Sequence, residues 1–265
     1  MPEPIVLYDI PGVTAKVKAW SPNTWKTRYC LNIKGIPYKT VWVEYPDIEA
    51  LCKKIGASAT DKRTDGTPLY TLPVIYDPNT KTAVSESATI ARYLDRTYPD
   101  TPRLIPAEAD ALVSAFIDAF WAALDWQFEP IILPVETSIL RPASRPYFRE
   151  TREKKLGCKL EEAAPPGSAK HAQCWEGVQK GVHKMAGWLD ADGQEKRFFM
   201  GDKMGITYAD IMLASFFMWF KMSFGDESQE WRRIMSWDGG RWAGFMSAFE
   251  RYEAVVEGEE VVLRP

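Results

Sequence analysis

Leu72-Pro73-Val74-Ile75-Tyr76-Asp77-Pro78-Asn79-Thr80-Lys81-Thr82-Ala83-Val84-Ser85-Glu86-Ser87-Ala88 is the stretch on which the fold turns. Leu72–Tyr76 and Thr82–Val84 read as two short strands, and Asp77-Pro78-Asn79-Thr80 between them has the composition of a hairpin turn. A helix then starts near Glu86, carries Ile90, Tyr93 and Leu94 on one face, and ends before Pro99. Upstream, Ile5–Ile10 is a short apolar strand. A helix runs from Ser21-Pro22 to Lys34, where Gly35 serves as its C-terminal stop. Tyr38–Tyr45 alternates in the strand manner, and Asp47–Ile55 is a short helix closed by Gly56.

The order βαβ, then α, then ββα is a thioredoxin-like arrangement. Pro99-Asp100-Thr101-Pro102 follows as an interdomain linker, since its prolines deny both a continuing helix and a strand. Beyond it the chain reads as helix. Ala107–Phe128 is rich in Ala, Phe and Trp at helical spacing, and Tyr147–Glu162 is charged. After a break at Pro165-Pro166-Gly167 come Ala172–Leu189 and Tyr208–Met222. The expected fold class is an α/β thioredoxin-like domain over residues 1–100 followed by an all-α domain over 101–265.

A chain of 265 residues needs neither disulfides nor metals to fold, and Lys+Arg 33 against Asp+Glu 36 gives no global pull toward nucleic acid or an anionic membrane. The start, Met1-Pro2-Glu3-Pro4, lacks the basic and apolar regions of a signal peptide, so a cytoplasmic location is expected. The longest apolar run, Ile211 to Phe220, is about half the ~20 residues a bilayer span requires, and reads as a buried helix. Cys30, Cys52, Cys158 and Cys174 form no CxxC pair, and His171 and His183 lie far from ligand-spaced carboxylates, so neither a metal nor a disulfide is expected. No GxSxG, Walker lysine loop or strand-linked GxGxxG occurs.

Four places carry chemistry. In Trp20-Ser21-Pro22-Asn23-Thr24-Trp25-Lys26-Thr27-Arg28, Ser21-Pro22 is an N-cap and first-turn pair. The same geometry suits an anion, because exposed amides and the positive helix end favour negative charge and a hydroxyl can donate to a thiolate. A free thiol titrates near ~8.5, and each unit of depression needs ~1.4 kcal/mol of selective thiolate stabilisation. At Leu72-Pro73-Val74, a cis bond would expose the Leu72 backbone to an extended peptide, and a cysteinyl tripeptide fits that slot. Glu86 and Ser87 offer a carboxylate for an ammonium, plus a hydroxyl and a helix-start amide for a carboxylate, the needs of an amino-acid head group. Thr207 and Asp210 have capping-box spacing and read as structural.

These features, in this order, resemble the cytosolic glutathione transferase family over essentially the whole chain. Ser21-Pro22-Asn23-Thr24-Trp25-Lys26-Thr27-Arg28 followed by Gly35-Ile36-Pro37-Tyr38 looks most like the fungal-specific class A (FuA) enzymes, themselves similar to bacterial β-etherases. The resemblance implies that glutathione is the co-substrate, held by the Leu72 backbone, Glu86 and Ser87, with Ser21 near its sulfur and Pro73 cis. It also implies a homodimer and a hydrophobic site facing the helical domain. Fungal class A members are associated with glutathione conjugation and with binding wood-derived phenolics. Two departures qualify the match. The connection from Ile10 to Ser21 is long, which leaves Asn23 or Thr24 as alternatives at the sulfur. The segment Ala57–Tyr70 is also long, and offers Lys62 or Arg63 for the glycine carboxylate of glutathione.

Cys30 lies about 13 Å along the helix from its start and, with Thr27 and Leu31, falls on the buried face, so mixed-disulfide chemistry is not expected. The expected activity is conjugation of glutathione to hydrophobic, largely aromatic electrophiles, with Ser21 and Asn23 as catalytic and sulfur-side residues. Trp20, Phe116, Phe120 and Trp121, with Trp126, are candidates to line the second-ligand site, although aromatics at helical spacing also build cores. The competing readings are a ligandin-type carrier of glutathione and phenolic compounds with little turnover, glutathione-dependent ether cleavage, and an interaction module without ligand.

Overall fold

The computed structural model describes residues 3–256 and 258–261; Met1 and Pro2, the first residues of the stretch read for a targeting signal, lie outside it. Ile5–Asp9 (β1) leads through a twelve-residue loop region into Pro22–Lys34 (α1), Tyr38–Trp42 (β2) and Ile48–Ile55 (α2). A small hairpin, Asp61–Lys62 (β3) with Pro68–Leu69 (β4), fills the long Ala57–Tyr70 connection, and Val74–Asp77 (β5), Thr82–Ser85 (β6) and Ser87–Thr97 (α3) complete the unit. The sheet runs β6-β5-β1-β2, with β1 and β2 parallel and β5 and β6 antiparallel, the expected thioredoxin-like order. Gly35 and Gly56 end α1 and α2 in the left-handed conformation, as glycine permits at little cost.

α1 is fixed to the sheet by charge as well as by packing. Arg28 and Asp9 are both fully buried, and the guanidinium donates to the Asp9 carboxylate at 2.6 Å and to the hydroxyls of Tyr38 and Thr40 at 3.2 Å. The rings of Trp25, Tyr38 and Trp42 surround it at 5.6 to 5.8 Å. At the other end of α1, Lys34 donates to Asp95 at 2.7 Å and to the Pro102 carbonyl at 3.0 Å. Asp95 also accepts from the Leu104 and Ile105 amides, so this buried pair pins the linker against the first unit.

After the linker come Asp110–Leu124 (α4), Glu129–Ile139 (α5), Arg145–Leu156 (α6), Leu160–Ala163 (α7), Ala169–Leu189 (α8), Tyr208–Phe224 (α9) and Gln229–Ser247 (α10), the last broken by non-helical backbone at Trp237–Gly240. The helix expected over 107–128 is corrected here. It ends at Leu124, because Asp125 and Trp126 turn to positive φ, 45° and 53°, and send the chain back as α5. The helix expected over 147–162 likewise stops at Leu156, where Gly157 turns left-handed. α5 and α10 have no counterpart in the sequence reading. Pro134 sits inside α5, and Gly239 and Gly240 interrupt α10.

α9, whose Ile211–Phe220 run is wholly buried, lies at the centre of the helical unit and packs on α1. The Thr207–Asp210 capping box forms as expected, and Asp210 additionally accepts from the Phe199 amide. α4 and α8 approach closely at Gly181, where a Cβ would stand 2.6 Å from the Ala123 carbonyl oxygen. One element falls outside the helical expectation for the second half: Glu259–Glu260 (β7) returns to extend the first sheet beside β2. Among the described residues no helix is long and apolar enough to cross a membrane.

Removing one member of a buried ion pair leaves the other charge unsolvated, at a cost of roughly 3–5 kcal/mol. Asp9→Asn should lower unfolding stability by about that amount in urea titration, and the double variant Asp9→Leu, Arg28→Met should recover a large part of the loss.

Candidate functional site

α1 begins at the mouth of a cleft of about 330 Å³ between the two units. The loop from Ile10 to Ser21 folds back on itself through a Pro11–Ala19 bridge and a Gly12 N–H to Lys18 carbonyl bond of 2.9 Å, while the Trp25 indole donates to the Ala19 carbonyl at 2.8 Å. The extra length of this loop is thereby absorbed, and Ser21 remains at the N-cap position. Its role differs from an ordinary cap. Ser21 is 4% exposed and its carbonyl accepts from the Trp25 amide, but its hydroxyl makes no cap bond and has no hydrogen-bond partner among the described residues. Ser21 and Asn23 both line the cleft. Thr24 does not: it is fully buried and its hydroxyl donates to the Ser21 carbonyl.

The first unit contributes Trp20, Lys26 and Tyr45 to the same cleft. The opposite wall is aromatic. Trp121 and Trp126 stack in parallel with centroids 5.3 Å apart, a contact made possible by the left-handed turn at Asp125 and Trp126. Lys155, paired with Glu129, lies over Trp126 at 4.4 Å. Phe128 and Trp219 meet edge to face behind this pair at 5.4 Å. Two expected lining residues are corrected: Phe116 and Phe120 are not in the cleft. Phe116 packs on Phe199 at 4.6 Å and on Trp188, and Phe120 is buried against Trp121 and Phe216. Both therefore serve the core of the helical unit, whereas Trp20 and Trp121 do line the cleft.

The Leu72–Pro73 bond is cis. Among the described residues, neither the Leu72 N–H nor its carbonyl is taken by a protein partner, as an added extended peptide would require. Glu86 stands at φ 74° as the cap of α3, and its carboxylate accepts from the Ala88 amide at 3.0 Å and from the Thr89 amide at 2.9 Å. Burial pulls that carboxyl upward, but these bonds pull it further down, so it lies below the ordinary range. The carboxylate assigned to an incoming ammonium is thus already engaged with a helix start. Ser87 donates to Glu86 and accepts from the Tyr208 hydroxyl at 2.9 Å, while its own backbone N–H has no partner among the described residues. Arg63 is committed to Glu49 at 2.7 Å and Lys62 is exposed on the small hairpin. Cys30, Thr27 and Leu31 are fully buried as expected, and burial pushes the Cys30 thiol far up.

The sequence reading missed the polar groups facing Ser21. Glu136, on α5, is 1% exposed and accepts from the Trp219 indole. Burial pushes its carboxyl up to about 8, with Trp219 and Arg152 opposing the shift. Arg152 of α6 lies over Phe148 at 4.9 Å and Tyr45 at 5.6 Å. The signal for Glu136 was present as an acid directly after the apolar run Ile131-Ile132-Leu133-Pro134-Val135, but the run was not read as a helix. Among the described residues no three His, Cys, Asp or Glu side chains converge as metal ligands.

Comparison with known proteins gives a consistent result. The family described as "Glutathione S-transferase, N-terminal domain" matches residues 20–97, and "Glutathione S-transferase, C-terminal domain" matches 111–252. The crystal structure of the glutathione S-transferase CsGST63524 of Ceriporiopsis subvermispora, in complex with glutathione, superposes with a TM-score of 0.92 at 53% identity, covering 96% of this chain and 99% of that one. Glutathione transferase GSTFuA3 from Phanerochaete chrysosporium superposes at 0.90 with 49% identity and the same coverage. The glutathione S-transferase-like protein ustS of Aspergillus flavus is 30% identical over 257 residues, 92% of this chain and 89% of that protein.

Glu136 also sets a pH dependence. The folded protein keeps its proton up to about pH 8, whereas an ordinary carboxyl loses it near 4.5, so folding takes up a proton across that window and stability falls as pH rises through it. Glu136→Gln should remove this slope, gaining on the parent protein by up to about 1.4 kcal/mol per pH unit between pH 5 and 8 in denaturant titrations.

Proposed function

This chain belongs to the glutathione S-transferase family, and on that premise we propose that it transfers the thiolate of glutathione onto hydrophobic, largely aromatic electrophiles. The observation that carries the reading is the unengaged Ser21 hydroxyl, which opens into the same cleft as the Trp121–Trp126 wall. A nucleophile held at the start of α1 and a flat substrate laid against those rings share one small volume. Such proximity removes much of the entropic barrier to a bimolecular step.

Glutathione fits the first unit as an extended peptide. Its cysteinyl backbone pairs with the free N–H and carbonyl of Leu72 beside Pro73, and its γ-glutamyl carboxylate meets the open N–H of Ser87 at the start of α3. Glu86 keeps that helix start in place and presents negative charge toward the ammonium. The thiol then reaches Ser21 and Asn23, where a hydroxyl hydrogen bond and the helix terminus favour the thiolate. Attack on the electrophile forms the C–S bond, the leaving group departs with its electron pair, and the thiol proton passes to solvent. A serine at this position favours conjugation over thiol-disulfide exchange. A homodimer and a phenolic second ligand belong to the same proposal.

Glutathione binding measured by calorimetry, with turnover of chlorodinitrobenzene in parallel, tests it. Glu86→Ala with Ser87→Ala should weaken glutathione binding at least tenfold, and Ser21→Ala should lower kcat/KM at least tenfold while leaving glutathione affinity within about threefold. Absence of glutathione binding at millimolar concentration would overturn the reading. Binding with negligible turnover across varied electrophiles would favour the carrier, and release of a phenol from an aryl ether the etherase.

A further inference from the structure

Every basic side chain of α1 is buried: Lys26, Arg28 and Lys34. Two of them have a carboxylate in contact, Asp9 for Arg28 and Asp95 for Lys34. Lys26 has none. It is 9% exposed, its ammonium stands 5.7 Å from the Trp121 ring centroid, and among the described residues no acceptor lies within hydrogen-bonding distance and no carboxylate within 4 Å. A buried cation without a counter-charge is costly, so its place in the fold calls for an anion that the protein does not supply. The ammonium lines the cleft shared by Ser21 and Asn23, and a second, smaller hollow beneath Asn23 bounded by Met212, Ser215 and Phe216.

We propose that Lys26 is a second catalytic residue, a cation that faces the glutathione sulfur alongside Ser21 and holds it as the thiolate. The inference rests on the reading that glutathione binds in this cleft. A hydroxyl and a helix terminus alone contribute modestly to thiolate formation, whereas a full positive charge in a site walled by tryptophan acts in a medium where charge is weakly screened. Glu86 is the carboxylate of the first unit whose charge acts on Lys26, and it is occupied in capping α3. Cys30, one turn further along α1, is held as the neutral thiol by burial. α9 faces Lys26 with Met212 and Ser215, which carry no charge. Across the cleft stand Arg152, Glu129 and Glu136; Glu129 is paired with Lys155, and Glu136 keeps its proton at neutral pH. The sulfur is thus the one anion this arrangement leaves for Lys26. Burial lowers the ammonium to about 8, with Glu86 opposing the shift, so at neutral pH it remains predominantly charged.

The test is the apparent pKa of the bound thiol, read from thiolate absorbance near 240 nm as a function of pH at saturating glutathione. Lys26→Met should raise that pKa by about one unit, a tenfold loss of thiolate below it, with glutathione affinity changed by less than about threefold. Lys26→Arg should restore most of the shift. The melting temperature of Lys26→Met should be equal to or above that of the parent, since an unpaired buried charge has been removed. An unchanged thiol pKa in Lys26→Met overturns the proposal. So does a tenfold loss of glutathione affinity with the thiol pKa intact, which would assign Lys26 to a carboxylate of glutathione, and so does a fall in melting temperature with the pKa intact, which would make it a packing residue. Failure of the parent protein to bind glutathione at all would sink the underlying reading instead, and this inference with it.

Discussion

The Arg28–Asp9 ion pair is the constraint from which the cleft follows. Both groups are fully buried at 2.6 Å, one on the first helix and one at the end of the first strand, with Tyr38 and Thr40 of the neighbouring strand completing the guanidinium's partners. A pair this dry adds little net stability compared with apolar residues of equal volume, but it tolerates very few arrangements. Here it fixes the rotation of α1 about its axis. With Arg28 turned to the sheet, the residues one turn either side are committed: Thr24 and Leu31 face inward, while Ser21, Asn23 and Lys26 come round toward the helical unit. The location of the groups proposed to face the sulfur is thus a consequence of a charge buried elsewhere on the same helix.

The second consequence is electrostatic. The cleft places an acid and a base, Glu136 and Lys26, in surroundings dominated by tryptophan and phenylalanine. Desolvation moves them in opposite directions, the carboxyl up to about 8 and the ammonium down to about 8, because in each case it disfavours the charged form. Neither is offset by a salt bridge. Among the other buried acids and bases of the described residues, Asp9 pairs with Arg28 and Asp95 with Lys34, while Asp77 and Asp210 each accept several hydrogen bonds from hydroxyls and amides. Lys26 stands apart from these satisfied groups, with no hydrogen-bond partner among the described residues, and a perturbed ionisable group left unsatisfied in a cleft is a physical mark of a functional location.

The first unit was largely legible in the sequence because its elements are short, strongly patterned and punctuated. Gly35 and Gly56 end helices where the structure ends them, and the expected Asp77-Pro78-Asn79-Thr80 turn is displaced by one residue, Asp77 closing β5 and 78–81 turning into β6. The Thr207–Asp210 box followed from local residue types, whereas the cis Leu72–Pro73 bond was expected from the family resemblance and not from the residues alone. The helical unit was less legible because its turns break local rules. Asp125 and Trp126 adopt positive φ without a glycine, so the sequence from Ala107 to Phe128 reads as uninterrupted helix. Pro134 masks α5, and with it Glu136. The separation of Trp121 from Phe116 and Phe120 depended on the same turn, since only the chain reversal brings Trp126 back over Trp121 and defines which aromatic face is open. Periodicity identifies an apolar helix, but which stripe faces a cavity and which a neighbour is decided by partners distant in sequence.

That distinction also explains why serine and not cysteine stands at the head of α1. Cys30 shares the helix but is fully buried, its thiol raised far above the ordinary range by burial, and so it is neither nucleophilic nor reachable. A cysteine at position 21 would lie beside Lys26 at a helix start, the setting that lowers a thiol pKa, and its thiolate could attack the disulfide form of a thiol ligand, leaving a mixed disulfide and releasing the second thiol as a thiolate. A hydroxyl in the same place can donate a hydrogen bond but takes no part in thiol–disulfide exchange. The combination of an unengaged hydroxyl, an unpaired ammonium and an aromatic wall therefore suits a site in which the sulfur arrives with the co-substrate and leaves with the product, and the protein contributes charge and position rather than a covalent partner.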